Sequence, residues 1–579
     1  MKHLCILIAV ILLAGTGDCL AQYFTSPPIP ADSLRIDSET LAIPNLPVPI
    51  EPEPFWTSAE FEVYSTGMIW RDCNHDGFID LFIANGNDIV KAPNCIYISN
   101  GGVLPRTATW YSANSEYSGH CAVGDIDDNG WPDFLVANFV GETTRPWKED
   151  LSELYVNYTG LPLPTSEWQT EDSMFSFSCA LGDPDGDGDL DAAFATGSEY
   201  QLTYTPDRIY FNDGGILQKP PGWLSTPQTA AMDVTWGDVD NDGDLDLAFC
   251  YDLEGAAVYY NHDGVIETVP SWRSHERESA NTLIFGDVDN DGWLDLIVAF
   301  NSQLSGNGYF VAYLNDGTGI LSTTPGWRSA TGGFGSGLAL YDYDADGDRD
   351  LAAGRWFDRA RIYENIGGSF TSTPVWRANP STVVEEMAWV DVDGNGVQSY
   401  ADTFYCDGSR KLFYVKHDPL HSVDSVLVDG LPAGNADFCY DLVSGWISLG
   451  QPPSEIVVIH YKYSAGCDLA ISHWDTFNMI FTNLYWKVDM YAEPTSGCVP
   501  LEVHFSDSST GATEWLWHFG DGGSSDLQNP VHTFYAGGPH DVSLSVQLPI
   551  ARVERTIPDM VCVLADTMAA GQVQGEPGD

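Results

Sequence analysis

Seven times along this chain an aspartate-rich loop returns, each time behind a tryptophan. The loops begin at Asp72, Asp125, Asp183, Asp238, Asp287, Asp342 and Asp391, at spacings of 53, 58, 55, 49, 55 and 49 residues. Trp56, Trp110, Trp168, Trp223, Trp272, Trp327 and Trp376 precede them, by 16 residues once and by 15 residues six times. Length therefore varies only between a loop and the next tryptophan. A fixed segment joined by variable ones marks a structural repeat, and seven copies restrict the chain to repeat architectures.

Each unit reads as four strands. An alternating segment enters the loop ("TLIFGD", "AMDVTWGD"), and an apolar run leaves it ("LDLIVAF", "LDLAFC"). Such a run suits a strand covered on both faces. A third strand ends in a turn ("YFNDGG", "YYNHDG", "YENIGG"), where Asn, Asp and Gly supply turn geometry. A fourth carries the tryptophan. Four strands per roughly 50 residues, many times over, predict a β-propeller. "FCYDLVSGW", "EIVVIHY" and "CDLAISHW" add an eighth unit without an acidic loop, so eight blades are favoured, with seven the alternative. The strand at Trp56 is then available to close the ring.

Aligned, six loops share one pattern. Asp or Asn stands at positions 1, 3 and 5, Gly at 6 and Asp at 9. The residues are Asp72, Asn74, Asp76 and Asp80; Asp125, Asp127, Asn129 and Asp133; Asp183, Asp185, Asp187 and Asp191; Asp238, Asp240, Asp242 and Asp246; Asp287, Asp289, Asp291 and Asp295; and Asp342, Asp344, Asp346 and Asp350. Packing carboxylates beside an apolar strand is unfavourable unless something neutralises them. A hard cation such as Ca²⁺ does so with six to eight oxygen ligands. Side chains at 1, 3, 5 and 9 supply carboxylates, and position 7 supplies a backbone carbonyl: Phe78, Trp131, Asp189, Asp244, Trp293 and Asp348. The first half resembles an EF-hand loop, which would need Glu at position 12 and flanking helices. Position 12 after Asp238 is Phe249, inside a strand. The seventh loop offers Asp391, Asp393 and Asn395 but has Ser399 at position 9. We expect about six calcium sites and do not count on the seventh.

These loops, with "FGDVDNDG" at 285–292, resemble FG-GAP/VCBS repeats such as those in the propeller of integrin α subunits. The resemblance spans roughly residues 55–486. It implies calcium in the hairpin between the first two strands of each blade, in a structural role, with ligands bound by loops on a propeller face. From about Lys487 the pattern changes to short alternating strands, as in a β-sandwich. "WLWHFGDG" and "NPVHTFYAGG" resemble the PKD family, with His518 in place of an Asp and Phe534 at the aromatic position. This implies an immunoglobulin-like spacer or binding module. Trp515, Trp517 and Phe519 alternate and are read as one face in its core.

The expected organisation is a signal peptide over 1–21 ("MKHLCILIAVILLAGTGDCLA"), a Pro-rich linker over 22–54, the propeller over 55–486, the PKD-like sandwich over 487–566 and a polar tail over 567–579. Such a chain is secreted or displayed at the cell surface. With 24 basic against 83 acidic residues, the net charge of −59 disfavours nucleic acid and anionic membranes. No later stretch is apolar enough for membrane insertion. Cys73–Cys95, Cys439–Cys467 and Cys498–Cys562 are the attractive disulfide pairs; Cys121 and Cys179 suit buried thiols equally well.

No zinc helix, P-loop, nucleophile elbow or C-x-x-C pair occurs. His120, His262, His275 and His460 are scattered. The tryptophans could stack on sugars, but their strict step with the loops favours packing. The favoured function is a non-enzymatic, calcium-stabilised binding or adhesion protein for an extracellular protein or carbohydrate ligand. The alternatives are a calcium-dependent carbohydrate-active enzyme and a structural cell-surface component.

Overall fold

The computed structural model describes residues 48–564, except 60–63, 88–89, 140–150, 173, 199–203, 303–306, 395, 407, 475, 485–487, 489, 510–511 and 548–551. The proposed signal peptide, most of the linker, the tail and Asn395 lie outside the described residues. The fold is all-β; among the described residues the one helical piece is a 3-10 turn at Asn435–Asp437.

Seven four-stranded antiparallel sheets repeat the predicted unit. Their inner strands are Ser65–Arg71, Ser118–Gly124, Ser176–Gly182, Ala231–Gly237, Ala280–Gly286, Phe334–Tyr341 and Val383–Val390. Each inner strand contacts the next, and the seventh contacts the first, so they ring a common axis. We number the blades 1 to 7 in that order. The second strand is buried along its whole length, as at Asp80–Asn85 and Asp246–Tyr251. This is why those runs are continuously apolar.

The ring closes by joining distant parts of the chain. Blade 7 takes its inner strand from Val383–Val390, its middle strands from Asp468–Trp474 and Met479–Phe481, and its outer strand from Trp56–Thr57. Trp56 is thus the outer strand of the last blade. Residues 48–54 also belong here rather than to a linker: Ile50 is buried and bridges Asn483.

The expected eighth unit is not a blade. Residues 397–464 form a two-sheet subdomain inserted between the inner and second strands of blade 7. One sheet holds Val397–Tyr405, Ile456–Ser464, Leu420–Val428 and Leu431–Pro432; the other holds Leu412–Tyr414, Trp446–Leu449 and Phe438–Tyr440. It has its own apolar core, including Phe413, Ile447 and Tyr461. "FCYDLVSGW" and "EIVVIHY" belong to this insertion, whereas "CDLAISHW" supplies the second strand of blade 7.

Four of the seven loops are preceded directly by a glycine, Gly124, Gly182, Gly237 or Gly286, and that glycine has a packing cause. A Cβ on Gly182 would lie 2.8 Å from the Trp236 indole of the next blade, and one on Gly237 would lie 2.7 Å from the Phe285 ring. On Gly286 it would lie 2.3 Å from Leu340. The last apolar side chain of each of these inner strands covers the glycine of the blade before it.

The C-terminal sandwich packs a three-stranded sheet (Met490–Glu493, Leu501–Asp507, Val531–Phe534) on a five-stranded one containing Glu514–His518, Gly538–Gln547 and Arg552–Leu564. Trp517 and Phe519 are in the core as read, while Trp515 is half-buried and donates its indole N–H to Asp507 Oδ2 (2.8 Å). The proposed disulfides are not formed. None of the ten described cysteines is in a disulfide. Cys73 instead donates to Asp80 Oδ2 at 2.9 Å, and Cys498 is paired in register with Leu564 rather than Cys562.

Candidate metal centres

Each acidic loop connects an inner strand to the second strand of the same blade. Position 1 follows the inner strand, and position 9 opens the second, as in the register pairs Gly124↔Asp133 and Gly237↔Asp246. Backbone handedness sets the curl. Position 4 is left-handed in six loops even without glycine in five of them (His75, Asp128, Asn241, Asn290, Ala345; φ 54–57° and Gly186 at 65°). Position 6 has φ between 88° and 100° in the six full loops, which glycine alone adopts without strain. The position 1 carboxylate then accepts the position 6 N–H: Gly77 to Asp72, Gly130 to Asp125, Gly188 to Asp183, Gly243 to Asp238, Gly292 to Asp287 and Gly347 to Asp342, at 2.7–3.1 Å.

Positions 3 and 5 lie on the same concave side, each accepting an N–H two residues on, as Asp242 to Asp240 Oδ1 and Asp244 to Asp242 Oδ1. One carboxylate oxygen from each member of four triads falls within 4.8 Å of the others: Asp125–Asp127–Asp133, Asp183–Asp185–Asp191, Asp238–Asp240–Asp246 and Asp287–Asp289–Asp291. The position 7 aspartates also engage through their side chains. Asp189, Asp244 and Asp348 accept N–H groups of Gly214, Asp263 and Gly367 in their own blade's third-to-fourth-strand turn. Trp131 stacks on His75 of the neighbouring loop, at 4.3 Å between centroids.

Position 9 has two functions. Asp80, Asp133, Asp246, Asp295 and Asp350 are at most 1% exposed. One oxygen accepts the position 2 N–H (Cys73, Ile126, Val239, Val288, Tyr343). The other accepts the N–H of the residue ending the third strand (Ser99, Asn157, Asn261, Asn315, Asn365). In the third loop position 2 is Pro184, which has no N–H, and Asp191 Oδ2 is left without a partner.

That strand-end asparagine is a functional residue that turn propensity alone does not reveal. Its Nδ2 donates to the position 2 carbonyl of the preceding blade: Asn157 to Cys73, Asn212 to Ile126, Asn261 to Pro184, Asn315 to Val239, Asn365 to Val288 and Asn483 to Tyr343, at 2.6–2.9 Å. The signal was in the sequence, as one asparagine at a constant place after six of the seven third strands, with Ser99 there in blade 1. The tryptophans form a second latch. Trp56, Trp110, Trp168, Trp223, Trp272 and Trp376 each donate their indole N–H to a carbonyl of the next blade, at 2.8–3.1 Å. This is the packing role, not a sugar platform.

In the seventh loop Gly396 donates to Asp391 Oδ2 (2.8 Å), as in the other six. Ser399, however, is not at position 9. The insertion displaces the closing carboxylate to Asp468, which pairs with Val390 in register and accepts the Asn483 N–H (2.9 Å). Asp393 lies in the same loop.

The donor set fits a hard cation. Five loops each hold a buried carboxylate oxygen with no hydrogen-bond partner: Asp125 Oδ1, Asp191 Oδ2, Asp238 Oδ1, Asp289 Oδ1 and Asp391 Oδ1. Orphaned buried oxygens are unfavourable, and a divalent ion ligated by oxygens satisfies them. Burial also drives the acids towards protonation, with Asp183 and Asp238 pushed up to about 7, Asp133 to about 8, and Asp246 and Asp350 to about 9. A cation in the loop opposes that shift.

Comparison with known proteins places these loops. The model for FG-GAP-like repeats matches residues 72–136, 183–249, 287–353 and 342–399, and every match begins on the first aspartate of a loop. A PKD domain matches 489–557. The chain carries four FG-GAP-like repeats and a C-terminal PKD domain. No curated protein matches it. Among solved structures, Sqt1 of Saccharomyces cerevisiae is similar at 8% identity and a TM-score of 0.40, over 74% of this chain and 98% of that one. Among the described residues no helix is long and apolar enough to cross a membrane.

Proposed function

We propose that this is a secreted, calcium-stabilised binding or adhesion protein that recognises an extracellular protein or glycan through a propeller face. The observation that carries the reading is the distribution of its acids. Its carboxylates are repeated at equivalent corners of the blades, each beside an inter-blade latch, as a scaffold requires. Carboxylates recurring at equivalent corners of successive blades differ from the single acid–base pair that glycoside chemistry needs.

Calcium held by positions 1, 3, 5 and 9, with the position 7 carbonyl, supplies charge neutralisation. The chain's own residues then set the blade spacing through the asparagine and tryptophan latches. On the acidic-loop face, residues 397–464 roof the channel mouth: Lys411 donates to Gly186 O (2.6 Å), the Asp238 N–H donates to Tyr414 Oη (3.1 Å), and Arg349 pairs with Asp418 (2.6 Å). Recognition is therefore assigned to the opposite face, where the second strand turns into the third. That rim exposes Phe357 and Tyr204. Glycan and extracellular-matrix arrays probed with the full chain in calcium test this, beside a polysaccharide-degradation assay. Binding lost on Phe357→Ala without product release supports the reading. Calcium-dependent product release would replace it with the carbohydrate-active alternative.

A further inference from the structure

Beneath the inserted subdomain the channel mouth is not filled. A chamber of about 750 Å³ lies between it and the ends of the inner strands. A second lobe of about 420 Å³ adjoins it, and both share Trp70, Trp236 and the turn 441–444. The larger volume is the size of a small-molecule site.

Its walls have a definite chemistry. Trp70, Trp236, Phe285 and Trp389, from blades 1, 4, 5 and 7, line it. Val443, at the tip of the turn, lines both lobes and is 70% exposed, so an apolar side chain stands free inside a roofed space. The charges lean one way. Asp238, Asp287, Glu386, Asp418 and Asp441 line the chamber against Arg349 and Arg410. Asp238 and Asp287 belong to metal loops, Arg349 is engaged by Asp418 (2.6 Å), and Arg410 lies in the field of Asp238. Glu386 and Asp441 remain. Glu386 accepts the Met68 N–H, while Asp441 accepts the N–H groups of Ser444 and Val443 and the Ser444 hydroxyl. Cations reach them only at a distance: Arg71 lies in the field of Asp441, and His120, in the field of Glu386, is held by Asp233 at 3.5 Å.

Aromatic rings, acids that burial pushes towards their neutral form (Glu386 up to about 7, Asp441 upward) and an apolar post suit a cation that carries hydrocarbon, whose charge would draw those acids to ionise. Such a group gains cation–π attraction from the rings and Coulomb attraction from the acids, and its apolar part leaves water. We propose that the chamber binds an organic cation, an ammonium group bearing an apolar substituent. The site is distinct from the recognition face and does not depend on it.

The test uses the full chain in calcium with benzyltrimethylammonium as the probe, followed by calorimetry and tryptophan emission. Benzyl alcohol and benzoate serve as neutral and anionic controls. Saturable one-to-one binding of the cation is expected, at least tenfold tighter than either control, with a change in tryptophan emission. Val443→Trp, which fills the chamber from an exposed tip and should fold normally, is expected to weaken it at least tenfold at an unchanged melting temperature. Glu386→Gln should weaken the cation and not the alcohol. No saturable binding, equal affinity for benzyl alcohol, or an unaltered isotherm in Val443→Trp would overturn the proposal. The last result would assign any uptake to the acidic surface.

Discussion

The asparagine latch makes a quantitative claim about how blades adhere. Asn261 is fully buried, and its Nδ2 donates to Pro184 O of blade 3 (2.6 Å) and to Leu245 O (3.1 Å). Asn261→Ala leaves the backbone N–H on Asp246 intact (2.7 Å) but strips a donor from two carbonyls. An unsatisfied buried acceptor loses about 1–2 kcal/mol, so the variant should lose about 2–4 kcal/mol. Urea denaturation at fixed calcium measures this, using the transition of the propeller and checking that its slope is unchanged. Asn114→Ala, at an exposed position, should stay within about 0.5 kcal/mol and serves as control. If Asn261→Ala also stays within about 0.5 kcal/mol, the latch contributes nothing and the repeated asparagine is only a turn residue.

Two further outcomes follow from the geometry. Trp272 donates to Leu321 O (2.9 Å), whereas the Trp327 indole N–H has no partner; Trp272→Phe should therefore lose about 1 kcal/mol more than Trp327→Phe in the same denaturation assay. Without metal, stability should fall as pH rises from about 4 to about 9. Burial raises Asp133 to about 8 and Asp246 and Asp350 to about 9, so between those pH limits the folded state holds protons that the unfolded state has released. Saturating calcium, which binds the deprotonated loops, should flatten or reverse that slope; a metal-free melting temperature that rises over this range would contradict it.

Much of this molecule is legible in its sequence because repetition averages out local ambiguity. The tryptophan-to-aspartate interval located the unit, and the alternation within it gave the strands. What escaped did so for physical reasons. The closing carboxylate of blade 7 is Asp468, separated from Asp391 by a whole inserted subdomain, and a spacing rule cannot cross an insertion of unknown length. "CDLAISHW" carried the hint, since Asp468-Leu469-Ala470 repeats the Asp350-Leu351-Ala352 start of a second strand. The insertion itself is built of short strands, so by pattern alone it passes for a blade. The asparagine latch was hidden because asparagine also favours turns. The proposed disulfides failed because order along the chain does not fix a thiol's neighbour: Cys73 donates to Asp80, and Cys498 is two residues out of register with Cys562 on the adjacent strand.

The central claim is that divalent ions hold the charged corners of the ring. Calorimetric titration of metal-stripped protein with calcium, followed by a melt with and without chelator, tests it most directly. About six ions should bind, and the melting temperature should rise strongly, since each site filled at one hundred times its dissociation constant adds about 2.7 kcal/mol. No heat of binding, with the same melt in chelator as in calcium, would contradict the account.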